Sequence, residues 1–118
     1  MIVGFSKHGT GGGAGPVDYV TDRKREGREE FEPVTVRGDA EQTKNLIDSL
    51  DFKWKYTSGV LSFAPDEEIT PKMESDIIDR FESVAFAGLE NDQYNILWVR
   101  HSHAGHHELH FVTPRVEL

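Results

Sequence analysis

Apolar side chains in this chain recur either at every second position or at every third and fourth, in runs short enough to be single elements. "IVGF", residues 2–5, reads as a short buried strand. It runs into "SKHGTGGGAGP", whose five glycines open backbone conformations closed to other residues. Pro16 suits the first turn of a helix, predicted over residues 16–21 and carrying Tyr19. A charged segment up to Glu32 reads as exposed loop, and "PVTVR" as a brief strand. Asp39 is an N-cap candidate, with Gln42 three positions on as capping-box partner, for a helix reaching about residue 50.

"YTSGVLSF", residues 56–63, is rich in β-formers and is closed by Pro65. Thr70 and Pro71 then open a helix in which Met73, Ile77, Phe81, Val84 and Ala85 return at helical spacing, predicting one apolar stripe laid on the core until Gly88 ends it. "YNILWVR" and "HHELHFVT" are two strand-like runs joined by a glycine-containing loop, a hairpin. The order β-α-β-α-β-α-β-β predicts an α+β fold: a largely antiparallel sheet of about five strands with helices packed against it. At 118 residues the chain supplies one core, so residues 1–118 are expected to form a single domain.

Composition narrows the chemistry. There is no cysteine, which removes disulfides, thiolate zinc sites and cysteine nucleophiles, and leaves His, Asp and Glu as the strong metal ligands. No apolar run is long enough to cross a bilayer, and "MIVGFSKHG" lacks the apolar core of a secretory signal, so a cytoplasmic protein without a membrane partner is expected. The net charge of −8 argues against nonspecific coating of nucleic acid, which draws on Lys and Arg. Basic residues nevertheless cluster in "DRKREGR" and "KWKY", leaving room for a local basic track on an acidic body. "GTGGGAGP" lacks the Lys-Ser/Thr of a Walker loop and the spacing of a dinucleotide fingerprint, so no nucleotide cofactor is expected. Its glycines suit close backbone approach, positioning the helix that bears Tyr19.

"RHSHAGHHELHF" carries five histidines and a glutamate. Residues two apart on a strand share a face, so Glu108 and His110 project together while His107, Leu109 and Phe111 point the other way. His101 ends the preceding strand, and a turn near Ala104 brings it across from this pair in several registers. Two imidazoles and a carboxylate on one face of a sheet suit a divalent ion with open positions for substrate oxygens. On pattern alone, a set of structural hydrogen bonds is the alternative. His103 and His106, in the loop, read as solvated.

"MIVGF", "GGGAGPVDY", "KYTSGVLSF", "DQYNILWVRH" and "HELHFVTPRVEL" occur in the order and spacing of the mobilization-protein relaxases of small colicin-type plasmids, so the chain resembles the front part of such a strand-nicking enzyme over nearly all its length. The resemblance implies an HUH-endonuclease-like domain. It makes Tyr19, otherwise an ordinary packed helix tyrosine, the nucleophile that attacks a DNA phosphodiester. It makes His101, Glu108 and His110 the metal-binding set, with His110 standing where the family usually has Asn. Imidazole is the better divalent ligand, so that departure should leave metal binding intact or stronger. The implied cofactor is a divalent ion, manganese or magnesium ahead of zinc, nickel or cobalt.

The implied substrate is single-stranded or locally melted DNA, with accessory DNA-processing proteins as further partners. Lys7, Arg23, Lys24, Arg25, Arg28, Lys53 and Lys55 would meet phosphates without reading bases. Trp54 is a candidate for stacking unpaired bases and His8 for touching a phosphate, while Trp98, within a strand, reads as core. Family members continue well past "VEL", so the chain is expected to be either a piece of one or a minimal nuclease. A DNA-binding module that has lost catalysis, and a hydrolytic nuclease using water in place of the tyrosine, are the competing functions.

Overall fold

The computed structural model describes residues 1–5, 12–22, 33–51, 55–103 and 106–115. The expected loop up to Glu32, from residue 23, lies outside them. Five strands and three helices follow in the anticipated order: β1 (Ile2–Phe5), α1 (Ala14–Thr21), β2 (Val34–Arg37), α2 (Ala40–Asp48), β3 (Tyr56–Phe63), α3 (Pro71–Ala85), β4 (Leu97–His103) and β5 (His106–Pro114). The sheet order is β1-β3-β5-β4-β2, and every neighbouring pair is antiparallel. Among the described residues no helix is long and apolar enough to cross a membrane.

Local chemistry sets the helix ends. Asp39 accepts from the Gln42 amide at 2.8 Å and Thr70 from the Met73 amide at 3.2 Å, each satisfying one of the donors a helix start leaves unpaired. A short 3-10 turn over Asn91–Gln93, which the apolar spacing does not announce, is closed by a capping box between Glu90 and Gln93. It takes residues 94–96 out of the expected strand, so β4 starts at Leu97.

The alternation of the strands divides the core in two. On one face Leu97, Val99 and Val112 pack with Val17 and Val20 of α1 and Ile47 of α2. On the other, Leu61, Phe63, Trp98, Leu109 and Phe111 pack with Ile78 of α3. Trp98 is core, as its place in a strand implies, and its indole donates to Glu82 at 3.1 Å.

The anticipated stripe on α3 is only half right. Ile77 and Phe81 do pack on the core, but Met73 and Val84 are exposed, and the residues most deeply set against the sheet are Glu74, Ile78 and Glu82. The helix sits rotated from its most apolar face because the sheet offers polar partners. Arg100 of β4 grips Glu74 through two bonds of 2.8 and 2.9 Å, and His107 of β5 adds a third at 2.9 Å. Glu82 meets Trp98, the Tyr94 hydroxyl and Arg37, the last carried to this face by a bulge in β2. Buried carboxylates with several donors each are tolerated where unpaired ones are not.

Candidate metal centre and nucleophile cleft

The β4–β5 register selects one of the hairpin pairings left open by the sequence. His101 pairs directly with Glu108, and Val99 with His110, so His101, Glu108 and His110 stand on the same face of two adjacent strands. One ligand atom from each lies within 4.8 Å of the others. Two donors about 2.0–2.1 Å from a common ion stand at most roughly 4.2 Å apart, so an inward shift of a few tenths of an ångström closes the set around a small divalent cation. The two imidazole rings lie with centroids 4.0 Å apart.

The surroundings orient these ligands. His101 is buried, and its Nε2 lies 2.7 Å from the Val20 carbonyl oxygen. A carbonyl only accepts, so Nε2 carries the proton, and in the neutral ring Nδ1 then holds the lone pair a metal requires. Ser62 of β3, opposite Glu108 in the register, donates to its carboxylate at 3.4 Å, and His110 lies 3.2 Å from the other carboxylate oxygen. A buried imidazole, a half-buried imidazole and a half-buried carboxylate, each held by a neighbour, fit a divalent ion.

Helix α1 lies over the same face. It is brought there by a close approach of main chains: Gly13 donates to Asp48 at 2.7 Å, and a Cβ on Gly13 would meet the Lys44 carbonyl oxygen at 2.5 Å. Only glycine fits there, which is the use anticipated for the glycine-rich segment. The helix begins two residues earlier than its proline suggests, at Ala14. Its Tyr19 is 48% exposed and lines a cleft of about 430 Å³ together with Pro16, Tyr56, Ser58, Val60 and His110. Tyr19 and a member of the ligand set thus share one cleft, and Val20, next in the helix, holds His101.

Other expected site residues fall elsewhere. Lys7, His8, Arg23, Lys24, Arg25, Arg28, Lys53 and Trp54 lie outside the described residues, as does the side chain of His103. Lys55 precedes β3 at the end remote from Glu108, its carbonyl accepting from the Arg115 amide. His106 is exposed, while His107 points to the opposite face, as alternation requires, and binds Glu74. Ser62, the Val20 carbonyl, Tyr56 and Ser58 were not singled out from the sequence. The two-residue alternation of "YTSGVLSF" could have flagged Ser62, Ser58 and Tyr56 as one column once β3 was known to lie beside β5.

The profile of relaxase nuclease domains of the MobA/VirD2-like type matches residues 19–118. The chain belongs to that relaxase family. Cryptic plasmid protein C of Neisseria gonorrhoeae is 48% identical over 118 residues, covering all of this chain and 56% of that protein. DNA relaxase MbeA of Escherichia coli is 47% identical over 120 residues, covering all of this chain and 22% of its own length. The relaxase-family chain therefore spans about half of one curated relative and about a fifth of the other. No solved structure matches it.

Proposed function

We propose that residues 1–118 act as one nuclease domain that nicks single-stranded or locally melted DNA, with Tyr19 as nucleophile and His101, Glu108 and His110 as the set that holds a divalent ion. The observation that carries this reading is the sharing of one cleft by Tyr19 and His110, with His110 in turn within ligand distance of His101 and Glu108. Membership of the relaxase family supports the nicking chemistry, and the name of the Escherichia coli relative supports a DNA substrate.

When bound, the ion would supply positive charge beside the scissile phosphate, offsetting charge on its nonbridging, attacking and leaving oxygens. The chain's own residues do the rest. His101 and Glu108, fixed from Val20 and Ser62, hold the ligand set in place before substrate arrives. The Tyr19 oxygen loses its proton and bonds to phosphorus, and the bond from phosphorus to the 3′-oxygen breaks. That oxygen takes up a proton and leaves as a 3′-hydroxyl, and the strand stays joined to Tyr19 through its 5′-phosphate. One ester replaces another, so the reverse attack by a 3′-hydroxyl rejoins the strand. Lys and Arg side chains, Lys55 among them, would contribute phosphate contacts that position the strand without reading it.

The test is incubation with labelled single-stranded oligonucleotides and manganese, followed by a denaturing gel. A slow protein–DNA band is expected for the wild type and none for Tyr19→Phe. Cleavage that proceeds normally in Tyr19→Phe and leaves no protein on the DNA would replace the tyrosine by water.

A further inference from the structure

The bond between His101 and Val20 joins the ligand set to the helix that carries Tyr19. Helix α1 spans Ala14–Thr21, so the Val20 carbonyl belongs to its last turn, where backbone acceptors have no donor within the helix. The buried ring of His101 supplies one at 2.7 Å. The Val20 side chain is itself buried with Val17 against Ile47, Leu97, Val99 and Val112. Its carbonyl therefore leaves His101 when the helix lifts from that core.

Two tasks meet at this bond. For the ligand, it fixes the tautomer and direction of the ring and leaves Nδ1 to a cation. For the helix, it satisfies an acceptor at the end that carries the negative pole of the backbone dipoles, where added positive charge is favourable. A ring that shares its Nδ1 lone pair with a cation gives up electron density and donates more strongly from Nε2. Each partner strengthens the other's hold. Tyr19, the residue before Val20, lines the same cleft as His110, so whatever seats the helix also seats the phenol.

We propose that this bond couples ion binding to the seating of α1: Val20 is a positioning residue that acts through His101, and loading the ligand set with a divalent ion fastens the nucleophile helix over it. The inference rests on the metal reading of the site. It adds a dependence, the phenol being held most firmly when the site is loaded, and a size for it. Loss of an outer-shell partner lowers metal affinity about 10–100-fold, and linkage requires the ion to favour the seated helix over the lifted one by that same factor.

Hydrogen-exchange mass spectrometry across a manganese titration reads this directly, with calorimetry of the same samples. Amides of α1 should exchange roughly 10–100-fold more slowly with manganese, and the slowing should level off, because the lifted state still binds the ion through the hairpin, only more weakly. Helices α2 and α3 should not share that plateau. Amides they expose by global unfolding keep slowing as manganese is added, and those they expose by fraying do not change. In the reciprocal arm, Gly13→Ala displaces α1 from the end remote from Val20, where the methyl would press on the Lys44 carbonyl. With its fold checked by thermal melting, this variant should bind manganese roughly tenfold more weakly. Exchange in α1 that is unchanged by bound manganese, or that follows α2 at every concentration, would overturn the coupling, as would full affinity in folded Gly13→Ala. Should the variant not fold, the wild-type exchange still decides. Manganese binding without slower exchange in α1 removes the coupling alone, whereas no binding at all removes the metal reading with it.

Discussion

Replacing Glu74 by Gln should destabilise the fold by about 2–3 kcal/mol without weakening the proposed binding of manganese. Glu74 is 5% exposed on α3 and receives two bonds from Arg100 and one from His107. It therefore clamps β4 and β5 from the face opposite the ligand set, one residue before His101 and one before Glu108. A charge-assisted hydrogen bond is worth about 1.5–3 kcal/mol, and breaking a fully buried pair costs about 3–5. The Arg100 side chain keeps 33% of its surface in water, so part of that loss is recovered by hydration and the lower figure applies. For a domain of this size the melting temperature should fall by roughly 10 °C. The hairpin backbone pairs without a break from Leu97↔Val112 to His103↔His106, so the ligands keep their register and manganese affinity should stay within error of the wild type.

Acid should mimic the mutation. Burial pushes the Glu74 carboxyl up, but the bonds and charge of Arg100, with His107, outweigh it and hold it below its ordinary value of 4.5. A carboxylate depressed in the native state stabilises it fully above the unfolded value, and that contribution drains away as pH falls through the native one. Wild type and Glu74→Gln should thus differ most near neutrality and converge below the ordinary carboxylate range. Urea titrations across this range measure it, and a Glu74→Gln penalty under about 0.5 kcal/mol at neutral pH would refute the clamp.

Three further outcomes are expected. Ser62→Ala should weaken manganese binding by about tenfold, the low end for an outer-shell partner because its bond to Glu108 is 3.4 Å long, as calorimetric titration would show. Gly13→Ala should lower stability by about 1–3 kcal/mol, since its methyl would press on the Lys44 main chain, and should reduce the yield of Tyr19-linked DNA in a gel assay by displacing α1. Burial and the bond to Glu82 push the Tyr94 phenol up to about 12; a spectrophotometric alkaline titration should therefore show one late tyrosine step that disappears in Tyr94→Phe.

Much of this was legible in the chain itself. β3 falls where "YTSGVLSF" stands, because alternation and β-branched residues leave little choice there. Thr70 and Asp39 announce their helices because capping is local chemistry. Glu108 and His110 share a face by the period of a strand alone, but the placing of His101 against Glu108 waited on the hairpin register, which alternation within each strand does not specify. The orientation of α3 was not legible. Hydrophobicity favours Met73 and Val84, and only the positions of Arg100, His107, Arg37 and Trp98 across the sheet explain why Glu74 and Glu82 turn inward instead. Ser62 was missed for a similar reason: its role depends on which strand β3 adjoins, a long-range fact that the middle and last thirds of the chain settle together.

The central claim is that three side chains on one face of the hairpin grip a single divalent ion, and calorimetric titration of the metal-free protein with manganese tests it most directly. One ion per chain is expected for the wild type, with weaker but measurable binding for His110→Asn and none for His101→Ala or Glu108→Ala. Unchanged stoichiometry and affinity in the two alanine variants would contradict it.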